Sequence, residues 1–174
     1  MFKVTEVMIS EEQLAEKVSE LAKQIENDFK GEELLVVGIL KGASVFVSDL
    51  IRKINLDVNI DFMSVSSYGN STESSGVVKI LKDLDVNIEG KNVLIVEDII
   101  DSGLTLSNLV AALETRNPKS LKLCTLLDKS QRRKADIPVD YVGFVIEDKF
   151  IVGYGIDYAE KYRNLPYIGV VSEV

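Results

Sequence analysis

One stretch of this 174-residue chain constrains its fold more than any other: Val93–Thr105, which reads VLIVEDIIDSGLT. Its first four residues are apolar and mostly β-branched, which is typical of a strand buried on both faces, as in a parallel sheet. Apolar residues then recur at helical spacing until Asn117-Pro118, where the helix is expected to end. The stretch therefore predicts a strand–turn–helix unit of an α/β protein.

Polar residues follow this predicted strand. Glu97 and Asp98 come at its carboxyl end, where open α/β sheets bind their ligands, and Asp101 begins a tight turn. Carboxylates this close together repel one another unless a cation or hydroxyl donors lie between them. The turn Asp101–Thr105 contains a glycine and enters a helix, so its main-chain N–H groups and its two hydroxyls suit a phosphate. The alternative is a buried strand with a solvated acidic turn, which leaves the clustering of carboxylates unexplained.

Composition excludes several kinds of site. With 20 basic and 28 acidic residues the net charge is −8, which argues against a nucleic acid as the main partner. The single cysteine, Cys124, rules out an internal disulfide framework, and the lack of histidine rules out His-based triads. We see no signal peptide and no apolar run of membrane-spanning length, so we expect a cytoplasmic protein with no membrane partner.

The other segments predict alternating helices and strands in one domain over residues 1–174. Ser10 and Gln13 form a capping box before an amphipathic helix. Lys41 follows an apolar run and Lys129 follows another, and both runs are expected to be parallel strands. Because the carboxyl ends of parallel strands meet at one edge, these lysines are expected near the acidic turn. The polar segment 66–77 is expected to be a mobile lid, with an ordinary hairpin connection as the alternative.

The Glu97–Thr105 motif resembles the phosphoribosyl-pyrophosphate (PRPP) binding motif of type I phosphoribosyltransferases, in the version found in their hypoxanthine-guanine members. The resemblance covers nearly the whole chain. It implies the type I phosphoribosyltransferase fold: a parallel Rossmann-like sheet, helices on both faces and a small hood formed by both chain ends. It also implies a homodimer or homotetramer that uses Mg²⁺ to transfer a 5-phosphoribosyl group from PRPP to a 6-oxopurine base, hypoxanthine or guanine.

The resemblance further implies roles for individual residues. Asp101 matches a general base at purine N7, and Ser67 with Tyr68 matches a pair in the catalytic loop. The residues implied in PRPP binding are Lys41, Gly42, Glu97, Asp98, Asp101, Ser102, Gly103, Leu104, Thr105 and Arg163. Those implied at the purine are Lys129, Phe150, Ile151 and Asp157, and the implied metal ligands are Glu97, Asp98 and Asp157. Taken singly, Phe150 also fits a core aromatic and Arg163 a surface cation.

Two other interpretations remain open from the residues alone. Val93–Asp98 is similar to the metal-binding strand of P-loop nucleotide hydrolases, but the sequence has no GxxxxGK[ST] motif to bind their phosphates. A regulatory protein of the same fold that binds RNA or DNA would use the basic run Gln131–Lys134. The net charge and the intact Asp101 oppose that interpretation, and we expect the basic run to be a solvated loop.

Overall fold

The computed structural model describes residues 1–67 and 78–174 of the chain. Its strands are β1 (Phe2–Ile9), β2 (Leu34–Ile39), β3 (Val58–Ser67), β4 (Val78–Lys82), β5 (Asn92–Ile100), β6 (Ser120–Asp128), β7 (Tyr141–Val145), β8 (Ile151–Val152) and β9 (Ile168–Glu173). Its helices are α1 (Glu11–Asp28), α2 (Ser44–Ile51), α3 (Leu104–Glu114) and a short 3₁₀ turn at Ser130–Arg132.

A six-stranded sheet in the order β4-β3-β2-β5-β6-β7 forms the centre of the molecule. The strands from β3 to β7 in this order are parallel to their neighbours, and only β4 runs antiparallel, against β3. Because β5 lies between β2 and β6, the carboxyl ends of these strands share one edge of the sheet. The mostly parallel α/β architecture predicted from the sequence is confirmed.

β5 is buried on both faces, as its apolar run predicts. Val93 and Ile95 pack in one hydrophobic core, while Leu94 and Val96 pack in the other. The first core also holds the apolar face of α3, and the second holds the apolar faces of α1 and α2. Helices therefore cover both faces of the sheet, which is why the strand needs apolar residues at every position.

The start of α1 follows from its predicted capping box. The Gln13 amide donates to Ser10 Oγ at 3.2 Å, and the Ser10 amide donates to Gln13 Oε1 at 2.8 Å. These two bonds satisfy main-chain groups that the first turn of a helix otherwise leaves unpaired. The helix then buries Leu14, Val18, Leu21, Ala22 and Ile25.

A second, antiparallel sheet in the order β1-β9-β8 is built from both ends of the chain, and we call it the hood. It packs on the core of α1 and α2 through Ile9, Ile151, Ile168 and Val170.

Within residues 1–67 and 78–174, no helix combines the length and the apolar character needed to cross a bilayer.

Candidate active site

The acidic motif of β5 lies within the strand and not after it. Pairing with β6 continues through Ile100, which lies opposite Asp128, so Glu97 and Asp98 belong to the last part of β5. The turn begins at Asp101. The apolar run alone gave a shorter strand, because the carboxylates break its hydrophobic pattern while the main-chain ladder goes on.

The turn after β5 has the backbone needed to enter a helix beside a ligand. Gly103 is the N-cap of α3 and has a left-handed conformation, with φ of 77°, which glycine adopts at little cost. The Leu104 amide lies 3.4 Å from Ser102 Oγ, and the Ser107 amide donates to Gly103 O at 2.8 Å. The first N–H groups of a helix lack partners within the helix, so this turn is suited to bind an anion.

A cleft of about 180 Å³ brings the β5 carboxylate and this turn together. Its polar lining is Glu97, Asp101, Ser102, Gly103 and Thr105. Its apolar walls are Val65, Ile99, Ile100, Leu106 and Leu109. A carboxylate and a phosphate-type turn in one cleft suit a ligand that carries both hydroxyl groups and a phosphate.

The two carboxyl groups of β5 are not independent of each other. Burial raises the pKa of Glu97 well above its usual value, and the adjacent Asp98 raises that pKa further. Burial also raises the pKa of Asp98, although the Ile99 amide, 2.7 Å from Asp98 Oδ1, and the Arg163 charge oppose the shift. A pair of this kind ionises fully only when hydroxyl donors or a cation compensate its charge.

The donor set of this region fits a hard metal ion. Its candidate ligands Glu97, Asp98 and Asp157 are all carboxylates, which magnesium prefers. In the part of the chain that the structure describes, no group of three or more His, Cys, Asp or Glu side chains is arranged to hold a metal by itself. Mg²⁺ usually takes one or two carboxylates together with water and substrate phosphates, so such a group is not required.

The loop after β2 packs directly on the acidic motif. The Leu40–Lys41 peptide bond is cis, and a Cβ at Gly42 would overlap Asp98 Oδ2. A Cβ at Gly155 would in turn overlap the Gly42 carbonyl oxygen, and Gly155 has φ of 98°. Both glycines are therefore fixed by close approach of neighbouring groups, which brings the loop and the segment at Gly155 against Asp98.

Cations and carboxylates alternate beside this loop. Arg163 Nη2 lies 3.3 Å from Asp157 Oδ1 and 3.2 Å from Glu160 Oε1, while Arg163 Nη1 donates to Gly155 O at 2.7 Å. Lys41 Nζ lies 3.0 Å from Glu160 Oε2. Hydrogen bonds and charge from Lys41 and then Arg163 lower the pKa of Glu160. Glu160 is not among the residues predicted from the sequence, although its spacing of three from both Asp157 and Arg163 is a signal for it.

The backbone of this segment adopts an unusual conformation. Tyr154, Ala159, Glu160 and Tyr162 all have positive φ, from 50° to 75°. Left-handed conformations cost free energy in residues other than glycine, and they concentrate at functional sites, where the surrounding structure holds them. The cluster therefore supports a functional role for the segment that carries Asp157 and Arg163.

Lys129 and Asp101 meet at the carboxyl edge of the sheet. Lys129 is buried, and its Nζ lies 4.0 Å from Asp101 Oδ1 and 3.5 Å from Asp148 Oδ1. Its amide donates to Ile100 O at 3.0 Å, which attaches the end of β6 to the end of β5. The side chain of Asp101 is half exposed, so it is accessible to a ligand. Asp148 is not among the predicted site residues, because no local pattern in the sequence indicates it.

An exposed aromatic ring directly precedes β8 of the hood. Phe150 is 49% exposed, and its ring meets that of Tyr158 edge-on at 5.3 Å. Ile151 is buried in β8, where it pairs with Val170. Phe150 lies two residues after Asp148, the partner of Lys129, so both residues belong to the same short segment. Half of the Phe150 surface is free to contact a planar ligand.

The predicted pair of the catalytic loop, Ser67 and Tyr68, lies where the described residues 1–67 end. Ser67 is the last residue of β3, but its side chain, Tyr68 and the rest of the predicted lid lie outside the described residues.

A larger cleft of about 530 Å³ lies between α1, α2 and residues 163–166. It contains Arg163 but neither Glu97 nor the turn, so the smaller cleft is the better candidate for the active site.

Comparison with known proteins gives a consistent result. The phosphoribosyl transferase domain family model matches residues 8–159. The hypoxanthine-guanine phosphoribosyltransferase of Bacillus subtilis is 56% identical over 169 residues, covering 97% of this chain and 94% of that protein. The crystal structure of a hypoxanthine-guanine phosphoribosyltransferase from Bacillus anthracis is 60% identical, with a TM-score of 0.93 over 99% of this chain and 100% of that one. The bifunctional protein TilS/HprT of Listeria monocytogenes is 54% identical over 97% of this chain, which spans only 26% of that longer protein.

Proposed function

The chain belongs to the phosphoribosyl transferase domain family, and from that premise we propose that residues 1–174 form one catalytic domain with the activity of a purine salvage enzyme. It transfers the 5-phosphoribosyl group from PRPP to hypoxanthine or guanine and releases IMP or GMP and pyrophosphate. The main support is the cleft in which Glu97 and the turn Asp101–Thr105 lie together, with Lys129 Nζ 4.0 Å from Asp101 Oδ1. These groups suit the ribose, the 5′-phosphate and the base of one substrate pair.

In this proposal β5 and its turn bind the ribose phosphate. Glu97 and Asp98 accept hydrogen bonds from the ribose 2′- and 3′-hydroxyls, directly or through metal-bound water. Such bonds favour the charged carboxylates and oppose the rise in pKa that burial causes. The main-chain amides of Gly103, Leu104 and Thr105, with the Ser102 and Thr105 hydroxyls, bind the 5′-phosphate at the N-terminus of α3. Leu104 stands where some relatives have lysine, which leaves these main-chain donors unchanged.

In this proposal the leaving pyrophosphate is bound by the loop after β2. Lys41 and Arg163 carry the positive charge there, and both pair with Glu160 in the structure. Departure of pyrophosphate leaves an oxocarbenium-like ribose and concentrates negative charge on the leaving group. Fixed cations and the main-chain donors of Gly42 stabilise that charge as it develops, which lowers the barrier.

The purine is bound between the edge of the sheet and the hood. Asp101 takes the proton from N7 as the base attacks, and Lys129 donates to the 6-oxygen. Phe150 stacks on the ring, main-chain groups of Ile151 read the base edge, and Asp157 completes the base site. The support is that Lys129 contacts Asp101 and that Asp148, which precedes Phe150, pairs with Lys129.

Glu97, Asp98 and Asp157, which do not form one metal-binding cluster, would hold Mg²⁺ together with water and substrate phosphates, and the bound ion would neutralise the negative charge that grows on the leaving pyrophosphate. We expect exhaustive chelation of divalent cations to abolish turnover and added Mg²⁺ to restore it. The reason is that carboxylates alone form the candidate site, and they favour hard cations. Turnover that persists after chelation would contradict the expectation.

The function is tested by incubating the purified protein with PRPP, Mg²⁺ and hypoxanthine, guanine or adenine. We expect pyrophosphate release that depends on a 6-oxopurine, together with formation of the matching nucleoside monophosphate. Release of pyrophosphate without a base, or no reaction with either 6-oxopurine, would refute the proposal. The RNA- or DNA-binding alternative gains nothing from the structure, because Arg132 and Arg133 of the basic run pair with Asp148 and Asp128.

Assembly and location complete the proposal. We infer a homodimer or homotetramer that acts in the cytoplasm, and that needs no nucleic acid or membrane partner. Light scattering of the purified protein tests the assembly, because a mass equal to one 19.3 kDa chain would contradict it.

A further inference from the structure

Three residues of the basic run, Gln131, Arg132 and Lys134, are exposed, as expected of a solvated loop, but the fourth departs from that expectation. This residue, Arg133, is partly buried, and its guanidinium joins two separate elements of the site. Arg133 Nη2 pairs with the Asp128 carboxylate at the end of β6. Arg133 Nε donates to the main-chain oxygen of Asp101 at 3.3 Å. One side chain thus connects the strand that precedes Lys129 to the turn after β5.

The same segment holds the next residue of the turn through its main chain. The Lys134 and Ala135 amides both donate to the carbonyl oxygen of Ser102, at 2.8 and 3.1 Å. The stem of Arg133 also packs on Gly103, because a Cβ at that glycine would lie 3.0 Å from Arg133 Cδ. Residues 133–135 therefore contact every residue of the turn from Asp101 to Gly103.

We propose that Arg133 is a positioning residue for the reaction, which fixes the phosphate-binding turn relative to the base-binding lysine. The proposal rests on the proposed function, because it assumes that the turn Asp101–Thr105 binds the 5′-phosphate of PRPP. Arg133 itself contacts the carbonyl side of the turn. Its guanidinium uses none of the amides of Gly103–Thr105, of which that of Leu104 lies 3.4 Å from Ser102 Oγ.

The planar guanidinium suits this bridging role. It presents several N–H donors in a fixed arrangement, so one group can bind a carboxylate and a carbonyl at the same time. Asp128 is adjacent to Lys129 in the chain and is 8% exposed, so it offers a rigid anchor. Loss of the bridge would let the turn shift, and a misplacement of about 1 Å away from the chemistry can cost about 100-fold in rate.

A simpler role for Arg133 would be to attract the phosphates of PRPP by its charge. The two roles differ in what a lysine at this position achieves. Lysine keeps the positive charge, but its ammonium has no planar fork with which to reach both Asp128 and the Asp101 carbonyl. A positioning role therefore predicts that Arg133→Lys fails to restore activity, whereas attraction by charge predicts that it succeeds.

The experiment compares steady-state kinetics of Arg133→Ala, Arg133→Lys and the wild-type enzyme, with PRPP and hypoxanthine varied in turn. Lys23→Gln is the control, because it removes the same charge at an exposed position of α1, a helix that packs in the other core from α3. We expect kcat/KM for PRPP to fall about 100-fold in Arg133→Ala and at least about 10-fold in Arg133→Lys. The activity of Lys23→Gln should stay near the wild-type value, and the KM for hypoxanthine should rise less than the KM for PRPP.

Chemical rescue gives a second measurement. Millimolar guanidinium added to Arg133→Ala should lower the KM for PRPP, and the same concentration of ammonium should not. Full activity of Arg133→Lys, or equal losses for PRPP and hypoxanthine, would overturn the positioning role. If Arg133→Ala fails to fold, Arg133→Lys alone decides between the two roles. Inactive wild-type enzyme would instead refute the proposed function on which the inference rests.

Discussion

Asp101→Asn is expected to lower kcat by about 10²–10⁴-fold, the usual contribution of a general base, while binding of PRPP survives. Asparagine has nearly the same shape, so the turn can keep its bonds to Arg133 and Lys134, which use main-chain oxygens. What is lost is the carboxylate that would accept the proton from purine N7. Lys129 Nζ, proposed to bind the purine, lies 4.0 Å from that carboxylate.

Steady-state rates and calorimetric PRPP binding, measured on the same preparation, check this expectation. Asp57→Asn is a suitable control, because Asp57 is exposed and directly precedes β3, at the opposite edge of the sheet. The control should match the wild type in both measurements. An unchanged kcat for Asp101→Asn would remove Asp101 from the mechanism, and loss of PRPP binding would assign it to binding instead.

Selectivity for 6-oxopurines is expected to depend on Lys129. Its ammonium has donors and no acceptor, so it satisfies the 6-oxygen of hypoxanthine or guanine but faces a second donor in the adenine amino group. Sites built around a buried hydrogen bond reject the mismatched analogue by roughly 10⁴-fold. Lys129 is buried, as such a site requires. We therefore expect the wild-type enzyme to refuse adenine.

Lys129→Ala is expected to lower kcat/KM for hypoxanthine by about 10- to 100-fold, which corresponds to one hydrogen bond of a charged group. Any residual adenine reaction should change far less. The substitution leaves Asp148 with a partner, because Arg132 Nη1 lies 3.4 Å from Asp148 Oδ1. Lys23→Ala, on an exposed position of α1, is the control. Unchanged hypoxanthine activity and selectivity in Lys129→Ala would show that another group reads the base.

Much of the fold and part of the site follow from local patterns. The capping box predicts the start of α1, and the apolar run from Val93 predicts a strand with both faces covered. Asp101 and Lys129 are far apart in sequence, yet both follow the ends of neighbouring parallel strands. Their meeting at 4.0 Å is a consequence of topology, which alternating strands and helices already specify.

The contacts of the site that the sequence does not predict are mostly those between residues that are distant in the chain. Glu160 with Lys41, and Asp148 with Lys129, join residues that no periodicity connects. Arg133 is similar, because a run of basic residues gives no indication of which member folds inward. Sequence patterns report how a segment meets an average environment of water or core. They do not predict which particular carboxylate a guanidinium will bind.

The alternation of β5 between two cores has a consequence for how this site changes during evolution. Val93 and Ile95 serve one core while Leu94 and Val96 serve the other, and the motif follows without a break. A substitution alters one contact, but an insertion or deletion of one residue would exchange both sets of side chains. It would also shift the turn Asp101–Thr105 relative to β6, because Ile100 at the end of β5 pairs with Asp128. We therefore expect substitutions at the apolar positions of β5 to be tolerated more readily than any change in the length of the segment.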